Sequence, residues 1–363
     1  MNELTNKLQR LRELADRSGL EAILLQRTSS VAWATSGASV YINTASSNAE
    51  ASLLITKNKQ FLVANNIEAV RFDKEEGLAA QGWIFQTAPW FEKNTCVSEL
   101  TQGLKLGSDG LFPGACDLSA DIAHLRADLG PYEGERFRTL GRLCAQAMDA
   151  AVRAVRPGQT EFEIAGLLSG ESERRGVQPT VILIATDERI FNYRHPLPTS
   201  KKLERYAMLI LCGRRQGLVC SITRLVHFGR LPDDIQRKAE AVARIDAAMI
   251  AASRPGNSLA SVFQTALRGY AEAGYPEEWR LHHQGGPAGY EPREYVATPS
   301  SPELVKAGQV YAWNPTITGS KSEDSVLVGE KGNEILTAIP GWPTIPVDLN
   351  GQTLERPAIL VVE

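Results

Sequence analysis

Histidine is the side chain that most readily moves protons near neutral pH, and this chain has five: His124, His195, His227, His282 and His283. His195 stands in FNYRHPLPT, and His282-His283 open HHQGGPAGYEPRE. A neutral imidazole can take a proton from water and return it to a departing nitrogen. Downstream stand Asn314 in WNPTI and Glu323 in SEDSVLV, an amide and a carboxylate within segments that read as extended. Arg224, Tyr290 and Arg293 have a binding and a bland reading each: a substrate contact, or a structural pair or turn residue. Cys212 is either a nucleophile activated by His195 or an inert core thiol, and its apolar flanks favour the second. His124 and His227 read as structural. His282-His283 also has a plain reading, a strand end with hydrogen-bonded rings.

Several elements must position these groups. LILCGRRQGLVCSITRLVHFG, Leu209 to Gly229, reads as two apolar strands around a short loop holding Gly213 and Gly217, and no Asp or Glu occurs from Tyr206 to Pro232. VILIAT (181–186) is a further strand, as are QVYAWNP and SEDSVLV. Helical spacing of Phe137, Leu140, Cys144, Met148, Ala151 and Val155 predicts a long helix stopped by Pro157-Gly158. The next helix opens on Thr160 with Glu163 three residues on, a capping box. A second long helix spans Pro232 to Ser253. AVRPGQT (154–160) is echoed by ASRPGNS (252–258), which suggests two related halves about a pseudo-twofold. Gly285-Gly286-Pro287-Ala288-Gly289-Tyr290 is either a close-approach loop at a ligand or a tight turn. Trp313 reads most simply as core.

Before residue 130 the pattern is shorter in period. Leu4, Leu8, Leu11 and Ala15 share a helical face ended by Gly19; EAILL (21–25) and VAWAT (31–35) read as strands, 51–65 as a hairpin, IEAVRFDKEEGLAAQG as helix and WIFQT as strand. A boundary near Leu129-Gly130-Pro131 divides 363 residues into two α/β domains. Lys+Arg 39 against Asp+Glu 42, without basic blocks, speaks against nucleic acid. No apolar run is long enough for a bilayer, and the polar amphipathic N-terminus lacks a signal peptide. Five widely spaced cysteines without a CxxC pair fit reduced thiols in the cytoplasm.

Taken in order, these landmarks resemble the creatinase, prolidase and aminopeptidase P family. The resemblance implies an α/β (α+β) fold: an N-terminal creatinase-type domain over 1–130 and a C-terminal pita-bread domain over 131–363 with pseudo-twofold halves, in a homodimer. Peptidases of this family hold two divalent metals through Asp, Asp, His, Glu and Glu. By resemblance those positions fall on Cys212 (or Ile210, counting back from Thr223-Arg224), Ser221, His283, Asn314 and Glu323, so most ligands are replaced. Two neighbouring dications need several anionic ligands, and this set does not supply them. No cofactor is therefore expected; a single zinc on Cys212, His283 and Glu323 is the chemical alternative.

Creatinase offers the comparison within the family, because it works without metal and has also lost the hairpin aspartates. The expected function is metal-independent hydrolysis or lysis of a C–N bond in a small molecule. His195 is the acid/base and His283 assists; Glu323, Asn314, Arg224, Tyr290 and Arg293 bind substrate. Two other readings stay open: a catalytically silent pseudo-peptidase binding a peptide or small ligand, and an Xaa-Pro peptidase with an altered single-metal site. No nucleic acid or membrane partner is expected.

Overall fold

The computed structural model describes residues 2–349 and 351–363, and the chain divides into two compact units, Met1–Ala127 and Asp128–Glu363. In the first, a six-stranded mixed sheet runs in the order Ile84–Ala88, Gln60–Asn65, Asn48–Thr56, Ala22–Arg27, Leu106–Ser108, Cys116–Asp117. The Glu3–Arg17 helix buries Leu8, Leu11 and Leu14 against it, and Asn2 caps that helix by accepting from Thr5 N–H. The hairpin expected over 51–65 is present as Asn48–Thr56 and Gln60–Asn65. Val31–Thr35 is not a strand: Thr28–Ala34 forms a fully buried helix. A short apolar run has no periodicity of its own, so burial on all sides suits either conformation.

In the second unit the two Arg-Pro-Gly segments are structural equivalents. Each follows a long helix, Pro131–Ala154 or Asp233–Ala252, and precedes a shorter one, Glu161–Glu173 or Leu259–Glu272. Thr160 and Ser258 both cap the shorter helix, and each bridges antiparallel to an extended segment, Thr160 to Lys202 and Ser258 to Leu304. Gly158 N–H donates to Leu203 C=O as Gly256 N–H donates to Val305 C=O. The sequence echo is thus a repeated helix, turn and helix, pinned by the same backbone bonds.

Two four-stranded sheets carry the site. One runs Leu360–Val362, Leu218–Phe228, Tyr206–Arg215, Gln178–Thr186; the other runs Gly285–Ala288, Val310–Trp313, Asp324–Val328, Asn333–Ile335. They are stitched by Thr223 N–H to Glu323 C=O and by Ser325, whose hydroxyl accepts from Ser221 N–H and donates to Ser221 C=O. The hairpin of Tyr206–Arg215 and Leu218–Phe228 turns on Gln216-Gly217, both at positive φ (49° and 76°), the backbone of a tight two-residue turn. Gly213 lies within the strand rather than in that loop. Gly285–Ala288 is likewise a strand, neither ligand loop nor turn. Gly285 sits at φ +104°, where an added Cβ would meet Ala312 O at 2.1 Å, so close backbone packing accounts for the glycine. Trp313 is fully buried and donates to Ser253.

A buried ion network locks these sheets to the Asp233–Ala252 helix. Arg356 pairs with both Asp246 and Asp324 at 2.6 Å, and Arg224 reaches Asp324 at 2.8 Å. Ser322 and Thr337 donate to the same two carboxylates. Because every charge has an opposite partner, and Asp246, Asp324 and Arg224 have further hydrogen bonds, the burial is tolerated.

Candidate functional site

His195 is set on a loop held at several points. Pro196 C=O accepts from Ile184 N–H, and Thr199 donates twice to the fully buried Glu161, which also accepts from Thr186 and pairs with Arg189. Arg194, the preceding residue, donates to Glu278 and Thr318. His195 itself stays exposed. Across from it, His282 and His283 follow a short 3-10 turn, Glu278–Leu281. Gln284 fixes their backbone, donating to His282 C=O at 2.7 Å while accepting from Tyr270.

The three rings converge. His195 Nε2 and His282 Nε2 are 3.2 Å apart, and His282 stacks on His283 with centroids 4.4 Å apart. His283 is the more distant from His195, at 5.8 Å between centroids. The partner of His195 is therefore His282, which the sequence left as a strand-end residue. Burial and then Lys321 push the pKa of His282 down to about 2; burial and then Arg293 push His283 down to about 4. His195 is lowered too, by burial and by Lys321, with Glu323 opposing. At neutral pH all three rings are uncharged.

Behind the histidines lies a cluster of fixed charges. Glu323 is 3% exposed and both of its oxygens are engaged: Oε1 accepts from Arg293 at 2.9 Å, Oε2 from Lys321 at 2.8 Å and from Thr223 at 2.6 Å. Burial would raise its pKa, but Lys321 and Arg293 outweigh burial and hold it well below the usual carboxylate range. Arg293 also donates to Ser221 Oγ at 3.0 Å, and Ser221 Oγ lies 3.4 Å from Cys212 Sγ. Cys212 and Ser221 face each other in the hairpin register, which places Cys212, not Ile210, beside Ser221. Burial, then Glu323, pushes the Cys212 thiol up to about 11, so it is protonated at neutral pH. Asn314 is 2% exposed, and its Oδ1 has no partner among the described residues.

The structure thus brings together His195, His283, Arg293, Glu323, Ser221 and Cys212 from the sequence-derived set. It does not bring Arg224 or Tyr290 to the rings. Arg224 follows Thr223 on the strand and so faces the other side of the sheet, paired with Asp324. Tyr290 turns its hydroxyl to Glu133 at 2.8 Å and accepts from Arg136. Besides His282, sequence reading missed Lys321. A signal existed: in SKSED, Lys321 and Glu323 are two apart, and extended chain puts them on one face.

Residues 135–330, more than half of the chain, match the sequence model of metallopeptidase family M24. The chain belongs to metallopeptidase family M24. Among M24-like relatives, an uncharacterised peptidase of Staphylococcus saprophyticus is 27% identical over 232 residues, which cover 61% of this chain and 65% of that one. The match therefore spans just under two thirds of that relative's length. A second, from Staphylococcus haemolyticus, is 28% identical over 252 residues, covering 66% and 69%. The prolidase from Pyrococcus horikoshii OT3 superposes with a TM-score of 0.79 at 20% identity, over 92% of this chain and 98% of that one. The Xaa-Pro dipeptidase from Bacillus anthracis gives 0.79 at 19%, over 99% and 100%. The N-terminal domain of the FACT complex subunit SPT16 from Cicer arietinum gives 0.68 at 13%, over 94% and 97%. The fold of both units is that of the prolidase group, with the pita-bread arrangement in the second. No helix among the described residues is long and apolar enough to cross a membrane.

The metal centre implied by the name M24 finds no matching donor set here. Cys212, Ser221 and Asn314 are neutral, and the two oxygens of Glu323 already accept from internal cations and a hydroxyl. The same engagement of Glu323 works against zinc on Cys212, His283 and Glu323. His195, His282 and His283 do offer one nitrogen each within 4.8 Å of one another. Yet the rings of His282 and His283 stack with only 30° between their planes. Planes so nearly parallel meet well away from both rings, so an ion within bonding distance of both nitrogens would lie out of at least one ring plane. Lys321 and Arg293 add repulsion toward a dication.

Proposed function

We propose that this M24 member acts without metal, as a hydrolase of a C–N bond in a small molecule, with His195 as acid and base. The observation that supports the reading most is Arg293, whose guanidinium spans Ser221 and Glu323, two positions of the family's ligand set. An organic cation takes the place between them.

The proton then has to be handled by imidazole. With His195 donating from Nε2 to His282 Nε2, the Nδ1 lone pair of His195 is available to water. His195 Nδ1 takes a proton as the water oxygen forms its bond to carbon. The C–N bond breaks, and the same proton passes to the departing nitrogen. His282, uncharged, accepts from His195 throughout and fixes its ring, which makes it a positioning residue. His283 stacks on His282 and holds it in turn. Asn314 Oδ1, buried and unpartnered, is an acceptor for a substrate N–H.

A turnover screen of N-substituted amidines, ureido acids and amino-acid amides tests the reading, each compound run with wild type, with His195→Ala and with chelator. Turnover that survives chelator and disappears in His195→Ala is the expected result. Undiminished activity in His195→Ala, or loss to chelator, would overturn it. Cleavage of Xaa-Pro dipeptides only with added metal would return the chain to the peptidase reading.

A further inference from the structure

The far face of the sheet carries a second concave site. Thr223 pairs with Glu323 on the side of the histidines, and their chain neighbours Arg224 and Asp324 pair on the other side. There they line a cleft of about 260 Å³, closed further by the hairpin of Thr344–Leu349 and Gln352–Pro357. Ile335, Ile339, Trp342 and Leu354 give it apolar walls, and Ala338 and Thr344 are exposed at its lip. Apolar walls with a few convergent polar groups are the usual form of a small-molecule site. A cavity of about 150 Å³ takes up benzene, so this one has room for a ring with a small polar substituent. The charges around it are balanced. Asp324 pairs with Arg224 and Arg356, and Glu355 stands exposed at the edge, so two cations meet two carboxylates. One donor is left over: Arg224 Nε is buried with no acceptor among the described residues. The terminal nitrogens of Arg224 are engaged, by Asp324 and by the carbonyls of Thr223, Glu323 and Thr337. A buried donor in that state is rare in native proteins. The indole of Trp342 lies over this guanidinium, 5.8 Å from ring centroid to Cζ.

We propose that this cleft binds a small uncharged aromatic molecule bearing a carbonyl oxygen, with its ring against Trp342 and its oxygen accepting from Arg224 Nε. An ion of either sign would upset the balance of two cations and two carboxylates, whereas a neutral carbonyl fills the open donor and leaves the balance intact. The indole shifts off the guanidinium to admit the oxygen, so Trp342 emission reports entry. The cleft is separate from the imidazole site, and the proposal holds whatever reaction that site performs. Its occupant nonetheless lies back to back with Glu323, because the guanidinium that receives it also donates to the carbonyls of Thr223 and Glu323.

Calorimetric titration of the full chain with benzamide, benzoate and acetamide tests this. Saturable benzamide binding is expected, with acetamide, which lacks the ring, not bound. Benzoate should bind at least about tenfold more weakly, since its charge would be unpaired beside Asp324 and Glu355. Ala338→Phe, which fills the cleft from its exposed lip, should weaken benzamide at least about tenfold. His195→Ala should bind it as wild type does. Benzamide should change the tryptophan emission of wild type but not of Trp342→Phe. Absent benzamide binding by wild type, or benzoate or acetamide binding equally well, would overturn the proposal. Affinity unchanged in Ala338→Phe, or lost in His195→Ala, would place benzamide elsewhere and overturn it too, as would an emission change that persists in Trp342→Phe. Should Ala338→Phe not fold, Thr344→Phe at the other exposed lip position takes its place, with the same loss expected and unchanged affinity equally fatal.

Discussion

Arg293 and Glu323 form a buried ion pair, 2.9 Å from guanidinium to Oε1, directly beside Ser221. The pair neutralises a carboxylate that would otherwise be costly to bury, and it places a cation against a hairpin that holds no acidic residue. Removing the shared anion should therefore be worse than removing either cation. Glu323→Ala strands Arg293 and Lys321 together, and a loss of about 3–5 kcal/mol is expected on breaking such a pair. Glu323→Gln, which keeps an acceptor, should lose less. Urea unfolding followed by circular dichroism measures both; equal and small losses would contradict this account of the charges.

Restoring one acid should not restore a metal. A carboxylate in Ser221→Asp would lie where Arg293 already donates, so it would pair with the guanidinium. Manganese titration of Ser221→Asp should show no binding. A well-defined manganese site in that single variant would show that Arg293 yields to metal.

Stability should depend on pH through the rings. His282 and His283 have pKa values lowered to about 2 and about 4, whereas an unfolded imidazole titrates near 6.5. As pH falls below 6.5 the unfolded chain takes up protons that the folded rings refuse. Stability is thus full above that value and is lost on acidification, the lowered pKa of Glu323 adding to the loss below the ordinary carboxylate range. Urea midpoints at pH 7 and pH 5 check the sign, with a lower midpoint expected at pH 5. His282→Gln should reduce the difference. In turnover, the acid limb should lie below the ordinary imidazole value, because His195 is lowered as well.

Gly285→Ala should destabilise the second sheet. Its positive φ and the 2.1 Å approach of Ala312 O leave no room for a methyl group, each effect costing about 1–3 kcal/mol. A variant as stable as wild type in thermal unfolding would contradict the packing described.

Much of this was legible before any coordinates. Capping at Thr160, the helix ended by Pro157-Gly158 and the Arg-Pro-Gly echo are local signals, and each appears where local physics puts it. The hairpin without acids was readable too, because a missing charge is visible in sequence. Partner choice was harder to read. His195 selects His282 over its neighbour His283 through backbone geometry fixed by Gln284, which no spacing rule reveals. Arg224 and Thr223 are adjacent yet face opposite sides of one strand, so only the register assigned Arg224 to Asp324. Val31–Thr35 was misread because a short buried run suits helix and strand alike.

Side-chain cations in the place of the metals should leave the protein without a bound ion. The most direct test is elemental analysis by mass spectrometry of the full chain after growth with zinc, manganese and cobalt and dialysis against the same ions. Metal well below one equivalent per chain is the expected result. One or two equivalents, lost when Glu323 or His283 is replaced, would contradict it.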